Sequence, residues 1–196
     1  MRFYIHVQET PNPDAVKFIS QYTVKSEGKG NYRTREEGEH VPLVLRLFGL
    51  DGVQGVFLFD NYVTITRDPA REWDALSNEV IDLLQEALPE HDPDYSDPTS
   101  DTGGQSREDL TPELQGISDI LDRTVRPYLA ADGGGLDLIE LRDHVLYIKY
   151  QGACGSCPSS AGGTLMAIQS ILRDEFDPDL SVVDVGGAGD FMFSGY

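Results

Sequence analysis

The sequence is poor in cysteine, in basic residues and in long apolar runs. Cys154 and Cys157 are the only cysteines, which excludes the disulfide framework that stabilises small secreted domains. The 15 basic residues face 34 acidic ones, for a net charge of -19, so general nucleic-acid binding is not expected. No apolar run approaches the length of a membrane span, and Met1–Glu9 lacks the apolar core of a secretory signal. We therefore expect a soluble, cytoplasmic protein with no membrane contact.

The composition predicts an α+β protein of two small domains joined by an acidic, flexible linker. Between residues 90 and 110 apolar residues almost vanish, and Asp, Pro, Ser, Thr and Gly dominate. Such a segment buries too little surface to offset its conformational entropy, so we expect it to be extended and mobile. The predicted order is a first domain, the linker, a second domain and a Gly- and aromatic-rich tail, over 1–89, 90–110, 111–186 and 187–196.

The first domain has strand-like periodicity followed by helical periodicity. Alternation over 3–7 and an apolar run over 16–20 predict strands, and Asp60-Asn61 predicts a hairpin between two more apolar runs. A short helix is expected to begin at Pro42. Asp68-Pro69 is expected to cap a last helix, whose apolar stripe, Trp73 included, we assign to the core.

The second domain has the pattern helix, hairpin, helix, strand. Thr111-Pro112 is an N-cap with a proline in the first turn, and one helix is expected from there to Leu129, stopped by Gly133-Gly-Gly135. The elements that follow are expected as strand, strand, helix and strand over 136–141, 145–150, 165–176 and 181–185. This order predicts an α+β domain with both cysteines at a strand-to-helix junction.

Cys154 and Cys157 form a C-x-x-C pair, which indicates a reactive dithiol or a metal site. Pro158 suits the first turn of a helix, and the N–H groups of a helix start favour thiolate over thiol. Two thiolates make half of a four-sulfur site, so a soft metal centre would need a second chain, as in a symmetric dimer. Zinc, an iron-sulfur cluster and dithiol redox chemistry all fit the spacing.

Other candidate sites are weaker. Gly133-Gly-Gly135 lacks the Lys-Ser/Thr of a phosphate loop and ends a helix instead of opening one. Four histidines are scattered without ligand spacing, and we favour a metal role for none of them: His6, His40, His91 and His144. His144 stays a candidate only because it is close in sequence to the cysteines.

Two separated motifs resemble the C-terminal domain of the NifU and Nfu iron-sulfur proteins. They are Val125-Arg-Pro-Tyr-Leu-Ala-Ala-Asp-Gly-Gly134 and Gln151-Gly-Ala-Cys-Gly-Ser-Cys-Pro-Ser-Ser160. The first domain, with Glu9-Thr-Pro-Asn-Pro13, looks like the domain that precedes it in Nfu proteins. One departure is Gly155-Ser156, where the family often has Ser-Gly. Another is Gly162-Gly163, which should loosen the helix start by roughly 1 kcal/mol per glycine relative to alanine.

The resemblance implies a non-enzymatic carrier or scaffold that holds a 4Fe-4S cluster between two protomers, with 2Fe-2S as the other cluster type considered. It implies Cys154 and Cys157 as ligands, apo iron-sulfur proteins as acceptors and an upstream assembly scaffold as donor. Two alternatives are a thiol-disulfide oxidoreductase and a zinc-bridged structural dimer. The hairpin expected before Cys154 argues against the first, which normally has its C-x-x-C in a thioredoxin-like βαβ context.

Because residues 90–110 have almost nothing apolar to dock, limited trypsin digestion should cut after Arg107 before it cuts either domain. Mass spectrometry of the earliest fragments would locate the cut. Protection at Arg107 equal to that of the domain cores would show that the linker prediction is wrong.

Overall fold

The computed structural model describes residues 3–96, 110–156 and 160–186. These residues form two α+β domains, as the sequence predicted. Residues 97–109 of the predicted linker and the tail from 187 onward lie outside the described residues, so the predictions made for them stay predictions. Within the described ranges, no helix is both long and apolar enough to cross a membrane.

The N-terminal domain is a five-stranded antiparallel sheet with two helices. The strands are β1 (His6–Glu9), β2 (Ala15–Ile19), β3 (Lys25–Tyr32), β4 (Val53–Asp60) and β5 (Tyr62–Arg67). The helices are α1 (Pro42–Leu47) and α2 (Trp73–Ala87), and a 3-10 turn follows α2 over Leu88–Glu90. The strands lie in the order β1-β2-β5-β4-β3, with the predicted hairpin joining β4 and β5.

One face of this sheet packs against both helices. Alternate strand residues such as Val63 and Ile65 belong to the same buried cluster as Leu76 and Val80 of α2. Trp73 packs against this cluster, which confirms its assignment to the core. Because side chains alternate across a strand, Thr64, which lies between Val63 and Ile65, faces the other side of the sheet.

Three features of this domain differ from the predictions. The first strand, expected over 3–7 with Val7 on its buried face, is His6–Glu9, and Val7 is 39 % exposed. Asp68 does not cap α2: its Oδ1 accepts a hydrogen bond from the Ala70 N–H at 2.9 Å in a turn, and α2 begins at Trp73. Strand β3 was not predicted, because its sequence is polar and interrupted by glycine. Gly28 has φ of +68°, and the pairing with β4 shifts between Lys25 and Gly30, so no simple alternation remains.

The first residues of the predicted linker pack against the N-terminal domain. Lys25 Nζ donates to Tyr95 O at 2.8 Å and lies over the Tyr95 ring. Tyr32 Oη and Tyr95 Oη are 3.0 Å apart, and His91 Nε2 lies 2.8 Å from Val24 O. The expectation of an extended segment without contacts is therefore wrong for residues 91–96, since Tyr95 and His91 anchor them.

The C-terminal domain is a three-stranded sheet packed against helices. Its helices are α3 (Pro112–Thr124), α4 (Arg126–Ala131) and α5 (Leu165–Glu175), and its strands are β6 (Gly134–Arg142), β7 (Val145–Gly152) and β8 (Ser181–Asp184). The order is β6-β7-β8, with β6 antiparallel and β8 parallel to β7. Thr111 caps α3 as predicted, accepting a hydrogen bond from the Leu114 N–H at 3.3 Å. Ile117, Ile168 and Ile148 share one buried cluster.

The single helix predicted from Thr111 to Leu129 is two helices. Val125, between α3 and α4, has φ of -118° and ψ of -49°. Pro127 has no N–H for the carbonyl four residues earlier, so the chain restarts as α4 instead of continuing α3. Gly133, with φ of +77°, follows the end of α4, as expected for a helix stop.

The turn between β6 and β7 is the pair Asp143-His144, both with positive φ, as in a tight type I′ hairpin. His144 Nδ1 lies 2.6 Å from Asp177 Oδ2, in the loop between α5 and β8. This hydrogen bond raises the pKa of His144 and lowers the pKa of Asp177, because the protonated ring and the carboxylate stabilise each other.

The pair should support the fold between the lowered pKa of Asp177 and the raised pKa of His144. Its contribution should fade as pH rises through the pKa of His144 or falls through that of Asp177. NMR titration of His144 should give a pKa above the ordinary 6.5, and Asp177→Asn should return it toward that value. An unchanged pKa in Asp177→Asn would show that the pair does not form in solution.

Candidate cysteine site

Cys154 lies in the turn that joins β7 to α5. Gly152 ends β7 with φ of +58°, and a 3-10 turn over Ala153–Ser156 carries the cysteine. Cys154 is 8 % exposed and belongs to the buried cluster of the C-terminal domain. Its position at a strand-to-helix junction agrees with the prediction. Cys157, the second predicted ligand, lies outside the described residues.

The approach to α5 is irregular. A π-helical turn over Ser160–Thr164 precedes the helix, and α-helical geometry begins only at Leu165. Gly162 and Gly163 fall within this turn, and a Cβ on either would meet no atom within 4 Å. The irregularity agrees with the loosening expected of two glycines at a helix start.

Cys154 packs against the backbone at Gly134. It pairs with Gly152 at the start of β6, so the two strand ends and the cysteine turn come together there. A Cβ on Gly134 would lie 2.6 Å from Cys154 Sγ and 2.7 Å from Gln151 O, closer than Cβ contacts in proteins come. Ending a helix requires only one glycine, here Gly133. The two further glycines, Gly134 and Gly135, were the feature of the sequence that indicated a close approach to the backbone.

Buried polar atoms without partners occur near the cysteine turn in both domains. Among the described residues, Tyr62 Oη, Thr64 Oγ1, Tyr150 Oη and Gln151 Oε1 are buried and make no hydrogen bond. Burial raises the pKa of both tyrosines, and negative charge on Cys154 raises each further. Both phenols therefore remain protonated and can donate. An unmet buried donor costs about 1–3 kcal/mol, so this site favours a ligand that accepts hydrogen bonds, such as a thiolate or a sulfide.

One row of side chains on the N-terminal sheet faces this end of the C-terminal domain. Cross-strand pairing places its members in register on five adjacent strands: Gln8, Lys17, Thr64, Phe57 and Asn31. We call these residues the docking row. Thr64 and Phe57 are each 1 % exposed, yet neither belongs to the cluster beneath the helices. Their burial comes from the C-terminal domain, which covers this face.

Two members of the docking row bind the end of α4. Lys17 Nζ donates to Ala130 O at 2.8 Å, and Gln8 Nε2 donates to Ala131 O at 3.1 Å. The last carbonyls of a helix lack intrahelical partners and carry its negative dipole end, so a lysine is a suitable partner there.

The other three members meet the glycines of the site. A Cβ on Gly133 would lie 3.0 Å from Thr64 Oγ1, and one on Gly152 would lie 2.9 Å from the Phe57 ring. Asn31 Oδ1 accepts a hydrogen bond from the Gly152 N–H at 3.2 Å. The same glycines that shape the cysteine turn thus let the N-terminal sheet approach it.

Two polar side chains outside the row complete the contact. Asn12 Nδ2 donates to Ala153 O, the carbonyl directly before Cys154, at 3.0 Å. Lys29 Nζ lies 2.5 Å from Asp137 Oδ1 and donates to Leu136 O at 2.7 Å. Burial lowers the pKa of Lys29, and Asp137 opposes that shift.

The histidines do not join the site. His144 lies at the far end of the β6–β7 hairpin from Cys154, about 25 Å away for a strand of this length, and it is bound to Asp177. Among the residues that the structure describes, no group of three or more His, Cys, Asp or Glu is placed to hold a metal ion. The described part of the site therefore offers Cys154 alone as a soft ligand.

Two family models match this chain, one on each domain. The model described as "Scaffold protein Nfu/NifU N terminal" matches residues 5–91, and the model described as "NifU-like domain" matches residues 117–183. The chain belongs to the Nfu/NifU family. The resemblance drawn from its two motifs is thereby confirmed.

Several relatives of this Nfu/NifU protein are named "NFU1 iron-sulfur cluster scaffold homolog, mitochondrial". The one from Drosophila erecta is 32 % identical over 173 residues, 87 % of this chain and 60 % of that protein. The one from Drosophila ananassae is 30 % identical over 192 residues, 96 % of this chain and 66 % of that protein. The chain spans about 60 % of the length of the first of these relatives. A solution structure of a NifU-like protein from Saccharomyces cerevisiae aligns with a TM-score of 0.42 and 26 % identity, over 45 % of this chain and 80 % of that chain.

Gly134→Ala should destabilise the C-terminal domain by about 1–3 kcal/mol, because the new methyl group collides with Cys154 Sγ and the Gln151 carbonyl. Chemical denaturation of the apo-protein would measure the loss. Gly163→Ala is the matched control, since its methyl group meets nothing within 4 Å. Equal stability of the two variants would contradict the close approach of Cys154 to β6.

Proposed function

We propose that the protein is an iron-sulfur cluster carrier or scaffold, not an enzyme. It holds a 4Fe-4S cluster between two protomers through Cys154 and Cys157 and passes the cluster to apo iron-sulfur proteins. An upstream assembly scaffold supplies the cluster. The observation that carries this proposal is Cys154 in a glycine-shaped turn, one residue of a C-x-x-C pair in an Nfu/NifU chain.

The stoichiometry follows from the number of thiols. Iron-sulfur clusters take four cysteine thiolates, whereas each chain has two cysteines. A symmetric dimer that contributes one pair from each protomer supplies all four. A 2Fe-2S cluster would have the same ligand count and is the alternative cargo.

The residues around Cys154 suit a thiolate that must be held and then released. The hydroxyl of Tyr150, in the same domain as Cys154, stays protonated and can donate a hydrogen bond, which stabilises negative charge on nearby sulfur. Gly134 leaves the sulfur close to the backbone without a side chain between them. Both features support cluster binding without adding a further ligand that would have to be displaced.

Transfer would proceed by exchange of thiolates, with no net oxidation. A deprotonated acceptor cysteine forms a bond to iron as the bond from Cys154 or Cys157 to the same iron breaks. The released thiolate takes up a proton. A site shared across a dimer interface gives the acceptor's cysteines access once the protomers separate.

The rival functions differ in what the purified protein contains. A thiol-disulfide oxidoreductase would purify without metal and cycle between dithiol and disulfide, and a zinc-bridged dimer would contain zinc without sulfide. The cysteine turn follows an antiparallel hairpin, which disfavours the thioredoxin-like context of a thiol-disulfide oxidoreductase.

The cellular compartment stays a prediction: the sequence favours the cytoplasm, whereas the Drosophila relatives are named as mitochondrial.

Anaerobic reconstitution should give about four iron and four sulfide per dimer, with visible absorbance typical of a cluster. Cys154→Ala and Cys157→Ala should each abolish cluster binding, because each removes two of the four thiolates from the dimer. Ser77→Ala on α2, far from the cysteine turn, is the control and should bind normally. A monomer that binds a full cluster, or a cysteine variant that retains it, would contradict the proposal.

A further inference from the structure

Five side chains of the N-terminal sheet and its loops make polar contacts with the backbone of the C-terminal domain around the cysteine turn. Four of these side chains donate hydrogen bonds to backbone carbonyls of the C-terminal domain: Gln8, Asn12, Lys17 and Lys29. Asn31 accepts a hydrogen bond from a backbone N–H of that domain. Phe57 is the large apolar side chain of the docking row. Polar contacts of this kind are typical of domain interfaces that open and close.

The cover reaches the two residues directly before Cys154. Asn31 binds the Gly152 N–H and Asn12 binds the Ala153 carbonyl, directly before Cys154. Cys154 is left 8 % exposed. A cluster shared with a second protomer needs its thiolate ligands at an open surface, so the docked arrangement and the shared cluster exclude each other.

We propose that the N-terminal sheet is a reversible cover for the cysteine turn of its own chain. It is docked in the apo monomer and undocked when two protomers share a cluster. This inference rests on the proposed function for its cluster step, but the docking itself needs no cluster. Residues 97–109 connect the two domains, and a chain of that length reaches up to about 45 Å, enough to keep them tethered after undocking.

Lys29 and Asp137 are the contact through which docking can be controlled. They form an ion pair between the domains, and the side chains are 23 % and 11 % exposed. Reversing either charge places two like charges in a half-buried contact, which should separate the domains. Reversing both restores opposite charges across the same contact, so the pair allows a double-mutant cycle.

The test uses the apo, reduced protein in a Cys157→Ser background, so that alkylation by iodoacetamide reports Cys154 alone. Lys29→Asp should raise the alkylation rate about tenfold, Asp137→Lys should raise it similarly, and the double reversal should return it toward the parent. Arg46→Asp is the matched control. It makes the same charge change at an exposed pair with Glu86 on the helical side of the N-terminal domain and should leave the rate unchanged.

A rate in Lys29→Asp equal to that of the parent would overturn the cover, as would a double reversal that reacts as fast as the single variants. If Asp137→Lys unfolds the C-terminal domain, as circular dichroism would show, Asn12→Ala tests the same docking from the N-terminal side and should also speed alkylation. With both cysteines restored, Lys29→Asp should load cluster faster than the parent. If the variants expose Cys154 to alkylation but the protein never binds a cluster, the proposed function is wrong and the cover stands. If the protein binds a cluster normally but alkylation is unchanged in the variants, the cover is wrong and the proposed function stands.

Discussion

Three glycines keep side chains out of the place where the cysteine turn and the two domains meet. Gly134 lets Cys154 Sγ rest on the backbone of β6, and its pairing with Gly152 fixes the register at that end of the hairpin. Gly133 ends α4 and lies against Thr64, and Gly152 lies against Phe57. A side chain at any of the three would push apart either the turn or the two domains, so the site and its cover depend on the same backbone.

Although the chain is strongly acidic, two lysines lie at the contact between the domains and interact with oxygen atoms there. Lys17 and Lys29 both point from the N-terminal sheet toward carbonyl or carboxylate oxygens of the C-terminal domain. Desolvation lowers the pKa of both, and a carboxylate opposes part of that shift, Asp132 for Lys17 and Asp137 for Lys29. Buried ion pairs contribute little net stability but are strongly destabilising when one partner is removed. Such a contact is well suited to specifying one docked arrangement while leaving it able to open.

The sequence predicted the parts of this molecule that depend on local chemistry. The cap at Thr111, the hairpin at Asp60-Asn61 and the position of Cys154 follow from side chains acting within a few residues of themselves. What it did not predict depends on distant partners. Strand β3 is too polar and too rich in glycine to show periodicity and exists because β4 pairs with it. Tyr95 anchors the start of the linker only because Lys25 and Tyr32 lie across from it. The contribution of Tyr62 to the cysteine site required knowing that two domains meet there.

Native mass spectrometry of the anaerobically reconstituted full-length protein tests the central claim most directly, because one mass reports chain number, metal and sulfide together. We expect a dimer that carries the mass of a single 4Fe-4S cluster, and loss of the cluster should accompany dissociation into apo monomers. A monomer with a complete cluster, a dimer held by zinc, or a metal-free protein lighter by two hydrogen atoms through an internal disulfide would each contradict it.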